Sequence, residues 1–219
     1  MCFSASVSFG AAAFLTATGG IALAKTRKRR KLPLASVPLV FAAQQAIEGF
    51  LWLTVPLGHA AGRLPASFFA AIALAVWPVL MPLAVGLAED DWRRGRLIFA
   101  FLVPGLGVAA YSLMDILVHP YLAWPAPDSL VYVNDHPYPG TLAVAYLFAT
   151  CAPPLLATDF LVKLFGAVVT AGLAAALLFY FVSLVSVWCF FAGLASALLA
   201  THFWRAPVNS GSRLSHSRC

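Results

Sequence analysis

The sequence predicts an all-α bundle of seven transmembrane helices, with the N-terminus outside the cytoplasm and the C-terminus inside it. Two observations point there: 62% of the 219 residues are hydrophobic against 10% charged, and the charges sit in short segments between long apolar runs. Such a chain has too little polar surface to coat a soluble globule, so lipid is its expected solvent and the bilayer its expected partner. The net charge of +6 does not indicate nucleic acid, because a nucleic-acid face interleaves Lys and Arg with polar residues on a soluble module.

Crossing a hydrocarbon core of about 30 Å takes roughly 20 residues at 1.5 Å each. Residues 3–24, 33–57, 66–87, 97–118 and 140–157 supply five such runs. The run 164–204 would make a helix of about 60 Å and is expected to divide near Phe179–Ser183, although no Gly or Pro marks a turn there. Orientation follows from the basic residues. Lys25, Arg27, Lys28, Arg29, Arg30 and Lys31 fill the first connection, Arg93, Arg94 and Arg96 the third, Lys163 the fifth, and Arg205, Arg213 and Arg218 the tail. Thirteen of the fourteen basic residues thus share one face, with Arg63 the exception, and the positive-inside rule makes that face cytoplasmic. Six or eight helices would put the tail arginines on the wrong side.

The 119–139 connection is proline-rich, with Pro120, Pro125, Pro127, Pro137 and Pro139 too dense for helix. Within it Leu130-Val131-Tyr132-Val133 has strand character and Asn134-Asp135-His136 turn character. Either a short hairpin over the outer helix ends or an irregular loop fits. The expected organisation is a membrane domain over 1–205 and a disordered cytoplasmic tail over 206–219. No basic leader precedes the first apolar run, so that helix is expected to be retained. Neither Cys2 nor Cys219 fits a lipid-anchor pattern.

Two formal charges fall inside the expected spans, Glu48 and Asp115. A carboxylate at that depth costs roughly 2.5–3.5 kcal/mol even on insertion scales, so it is expected to face the bundle interior. Each has polar company at helical spacing: Gln44, Gln45 and Trp52 around Glu48, and Tyr111, Ser112 and His119 around Asp115. Cys2, Trp188 and Cys189 are expected in the outer half as well. Together, Cys2, Gln44, Gln45, Glu48, Asp115, His119, Trp188 and Cys189 suggest an outward-opening pocket for a small ligand or a metal ion near Glu48, Cys2 and Cys189. The competing interpretation is a protonated Glu48 hydrogen-bonded between helices. Cys2 and Cys189 are compatible with a disulfide, with shared metal ligation or with two unrelated thiols. His59 and His136 read as solvated loop histidines, Cys151 as an apolar filler, and the Ser186, Cys189, Gly193 and Ser196 face as packing. No CxxC, HExxH, phosphate loop or nucleophile elbow occurs.

The opening Met1-Cys2-Phe3-Ser4-Ala5-Ser6-Val7-Ser8-Phe9, the segment Gln44-Gln45-Ala46-Ile47-Glu48-Gly49 and the segment Ser186-Val187-Trp188-Cys189-Phe190-Phe191-Ala192 together resemble an uncharacterised family of small bacterial multi-pass membrane proteins that open MCFSA-x-x-SF. The likeness spans nearly the whole chain. It implies a bacterial inner-membrane location and interest in Cys2, Gln44, Gln45, Glu48, Trp188 and Cys189, and it carries no activity. Seven helices with an outside N-terminus are also similar to membrane hydrolases of the alkaline ceramidase and progestin-receptor type, but the last helix here lacks their paired histidines. The leading expectation is a sensor or accessory protein with a periplasm-facing polar pocket. The alternatives are a membrane-embedded metal hydrolase using Glu48 as ligand or base, and a proton-coupled transporter using Glu48 and Asp115.

Overall fold

The computed structural model describes residues 4–57, 59–126, 129–136 and 138–205; Cys2 and the expected tail over 206–219 lie outside them. The first rod is α1 (Ala5–Lys25), opened by Ser4, whose side chain accepts a hydrogen bond from the Val7 amide. A short 3-10 turn over Arg29–Lys31 leads into α2 (Leu32–Thr54), where Pro33 sits in the first turn and costs no hydrogen bond. The third rod joins α3 (His59–Ala71) to α4 (Trp77–Ala88) through one widened π turn, Ile72–Val76. The fourth joins α5 (Trp92–Ala100) to α6 (Leu102–Val118). After a hairpin come α7 (Gly140–Leu156), α8 (Phe160–Phe179) and α9 (Leu184–Arg205).

Six of these seven rods are long and apolar enough to cross a bilayer, and α7 is a shorter apolar helix of 17 residues. The protein is therefore a multi-pass membrane protein with an all-α bundle. The third and fourth rods start before the apolar runs at 66 and 97, because their first turns carry Arg63 and Arg93–Arg96, which hydropathy reads as connection. Large apolar side chains such as Phe50, Phe68, Val103, Leu117 and Leu178 remain exposed along the rods. In water these would be liabilities; in lipid they are the solvent-facing surface.

The expected break between the last two rods falls at Tyr180–Ser183. Tyr180 leaves helical geometry at φ −136°, ψ 37°, and a 3-10 turn over Phe181–Ser183 follows. A hydrogen bond of 2.6 Å from the Ser129 hydroxyl to the Ser183 hydroxyl ties this turn to the hairpin. The turn needs no Gly or Pro because a tertiary contact holds it.

The basic connections gather at one end of the bundle. There Arg30 pairs with Asp90 and donates to the Glu89 carbonyl at 3.0 Å. The Glu89 carboxylate accepts from the Thr158 amide at 2.8 Å, and His202 meets Asp159 at 2.9 Å. The Arg30 guanidinium holds the Asp90 carboxyl below its ordinary range. At the opposite end lies the hairpin, β1 (Leu122–Pro125) paired antiparallel with β2 (Leu130–Val133), in the register Leu122 to Val133 and Pro125 to Leu130.

α2 occupies the middle, flanked by α1, α9, α3 and α4. Its buried face carries Leu34, Val37, Phe41, Gln44, Gln45, Glu48 and Leu51, a helical spacing of three and four residues. Apolar residues fill most of this face, and the polar group Gln44, Gln45 and Glu48 interrupts it in the half nearer the hairpin.

Candidate functional site

The side chains of Gln44, Gln45 and Glu48 are buried at 0%, 0% and 3% exposure. Glu48 lies six residues before the end of α2, about 9 Å below the hairpin end of the helix. One carboxylate oxygen accepts from the Gln45 amide at 3.0 Å, and the other accepts from the Ser186 hydroxyl on α9. Gln44 turns toward α4, where its oxygen accepts from the Trp77 indole at 2.9 Å. Cys189 is buried beside Gln44. Ser186, grouped with packing residues in the sequence, is thus a direct partner of Glu48. Nothing in a Ser-Cys-Gly-Ser face distinguishes the two roles before the helices are placed.

Among the described residues, the buried polar atoms Gln44 Nε2, Gln45 Oε1, Trp52 Nε1 and the Tyr132 hydroxyl have no hydrogen-bond partner. Trp52 shares the Glu48 face of α2, one turn on. Tyr132 comes from β2, its ring stacked on Phe69 with centroids 4.2 Å apart. Burial, then the neighbouring Glu48, pushes the Tyr132 phenol well above its ordinary value, so it enters the site as a neutral hydroxyl. Buried polar groups in folded proteins are nearly all satisfied, so several orphans around one carboxyl require an explanation.

A second polar group lies at the hairpin end of α6. Asp115 and His119 are one helical turn apart, and the His119 amide closes the helix by donating to the Asp115 carbonyl at 2.7 Å. The Nδ1 atoms of His119 and His136 both lie against the same Asp115 oxygen, at 3.2 and 3.0 Å, and the two rings stack with centroids 5.0 Å apart. The other Asp115 oxygen accepts from the Asn134 amide at 2.9 Å. Hairpin topology explains the convergence. β1 leaves the end of α6, and because β2 pairs with it antiparallel, Asn134 and His136 return to the point of departure. Burial pushes the Tyr121 hydroxyl up to about 12, against a hydrogen bond with Asn134 that lowers it.

Between α7, α8 and α9 is a cavity of about 300 Å³ lined almost entirely by apolar side chains, among them Leu74, Leu147, Leu177, Trp188 and Cys189. Tyr138 forms part of its wall and bonds Ser112 at 3.1 Å.

The residues singled out from the sequence therefore fall into two groups. Gln44, Gln45, Glu48 and Cys189 come together in the interior, and Asp115 and His119 meet at the hairpin end, joined by Asn134 and His136. Trp188 turns away from Glu48, donating to the Val169 carbonyl at 3.0 Å and meeting Tyr146 edge-on. Cys151 is buried and free. His136 is not simply solvated: its ring is 44% exposed but paired with Asp115. Among the described residues, metal-ligating side chains converge in a group of three at Asp115, His119 and His136 rather than at Glu48.

No curated protein and no solved structure matches the chain. A family model described as a family of unknown function (DUF6629) matches residues 1–213, and the chain belongs to that family.

Proposed function

We propose that this is a bacterial inner-membrane protein that binds a small polar ligand in a buried site centred on Glu48, as a sensor or accessory protein with its hairpin end toward the periplasm. The observation that carries the reading is the set of unpartnered polar atoms around Glu48. Gln44 Nε2 and Trp52 Nε1 offer donors, Gln45 Oε1 offers an acceptor, and the Tyr132 hydroxyl offers either. A bound group with both donors and acceptors supplies partners for such atoms, each of which otherwise carries a desolvation cost of about 1–3 kcal/mol. The gathering of basic connections at the far end supports the orientation, since those are the segments retained in the cytoplasm.

Native mass spectrometry of the full chain, purified in a mild detergent, tests this. The wild type is expected to carry a small-molecule mass that is missing from Glu48→Gln, with the two proteins alike in helix content. An unliganded wild type, or the same bound mass in a well-folded Glu48→Gln, overturns the proposal.

A further inference from the structure

We infer that Asp115, His119 and His136 form a binding site for a divalent transition-metal ion, separate from the Glu48 site and closed by the hairpin. The geometry is close to what such an ion requires. Zinc binds imidazole nitrogen and carboxylate oxygen at about 2.0–2.2 Å, so two ligand atoms of a tetrahedral site stand about 3.3 Å apart. Here the two imidazole Nδ1 atoms stand 3.0 and 3.2 Å from the same Asp115 oxygen. The three ligand atoms lie within 4.8 Å of one another, so small side-chain rotations bring them onto one ion.

The surroundings match the chemistry. Asp115 is 5% exposed, so the hard anionic ligand is withdrawn from water, while the imidazoles are 41% and 44% exposed and reachable by an ion from solution. Asn134 holds the second carboxylate oxygen, the outer-shell contact that fixes a ligating carboxylate. The His136 amide in turn donates to the Asn134 side-chain oxygen at 2.8 Å, so one Asn orients both the carboxylate and the loop that carries the histidine. On binding, each imidazole proton moves from Nδ1 to Nε2 and the freed Nδ1 lone pair takes the ion. Two imidazoles and a carboxylate suit Zn²⁺ and its neighbours rather than Ca²⁺ or Mg²⁺, which prefer all-oxygen shells. Three protein ligands leave at least one position for water or an incoming group.

The site also bears on the hairpin. His119 belongs to the end of α6 and His136 to the segment after β2, so an ion shared by both fastens the hairpin to the bundle. Tyr132, on β2 two residues before Asn134, reaches the Glu48 neighbourhood. Metal binding therefore holds in place the strand that covers the Glu48 site.

The test is a zinc titration of the chelator-stripped full chain in detergent, read by competition with a chromophoric chelator and by thermal unfolding. The wild type is expected to bind one Zn²⁺ more than His136→Ala and to melt higher when loaded. Asn134→Ala is expected to weaken binding about 10–100-fold, and Glu48→Gln to leave it unchanged. His136 is exposed, so its replacement spares the fold, whereas Asp115→Asn serves as a second variant whose folding is checked by circular dichroism. Equal zinc binding by wild type and His136→Ala overturns the inference, as does loss of zinc from Glu48→Gln with His136 intact.

Discussion

Gly105→Ala is expected to lower the thermal unfolding midpoint more than any other single-methyl addition to the described glycines. A Cβ at Gly105 would lie 2.0 Å from the Pro78 carbonyl oxygen and 2.9 Å from its carbon. The obstacle is backbone, which cannot swing aside as a side-chain tip can, so α4 and α6 must separate. The close approach has a local origin. Pro78 lies just after the widened turn Ile72–Val76 and has no N–H to donate back along the rod. The Ala73 carbonyl accepts instead from the Tyr146 hydroxyl at 2.7 Å, which draws α7 against the same region. Overpacking costs about 1–3 kcal/mol and occasionally more, and a backbone clash belongs at the upper end. Gly107→Ala is the control, because nothing lies within 4 Å of its added carbon. Equal midpoints for the two variants would contradict the packing described between α4 and α6.

The second large effect is the contrast between Glu48→Ala and Glu48→Gln. Removing the carboxyl strips the Ser186 hydroxyl and the Gln45 amide of their acceptor and opens a void between α2 and α9. Each orphaned buried group costs about 1–3 kcal/mol, and the effect is moderated because freed groups in a membrane find other partners. A net loss of about 1–3 kcal/mol is expected for the alanine variant. Glutamine keeps the volume and an acceptor for one of the two donors, so a much smaller loss is expected. Both are read from unfolding midpoints in detergent or from chemical denaturation in mixed micelles. Matching midpoints for Glu48→Ala and the wild type would mean that the carboxyl contributes nothing to the α2–α9 contact.

How much of this was legible in the sequence depended on range. Hydropathy located the rods because lipid burial is read residue by residue, and the basic clusters located their ends because charge cannot enter hydrocarbon. The break near Phe179–Ser183 was legible from length, yet what holds it, the Ser129–Ser183 bond, joins residues 54 positions apart. The Asp115–His119 pair was visible as a single helical turn. His136 was not, because its approach depends on the register of β1 against β2, and a histidine between prolines looks the same whether solvated or paired. One strand of the hairpin was legible in Leu130–Val133, a β-branched and aromatic run; its partner Leu122–Pro125, flanked by prolines, was not, and the sequence left an irregular connection equally open. Ser186 was hidden among small residues that equally suit helix packing. The π turn at Ile72–Val76 left no mark in composition, since its residues, Ile-Ala-Leu-Ala-Val, fit an ordinary helix equally well.

A high-resolution structure of the protein in lipid nanodiscs tests the Glu48 site most directly. Non-protein density larger than a water molecule, within hydrogen-bonding distance of Gln44 Nε2, Gln45 Oε1 and the Tyr132 hydroxyl, is the expected result. Side-chain amides of Gln44 and Gln45 turned so that every buried polar atom is satisfied within the protein, with nothing larger than water beside Glu48, would contradict it.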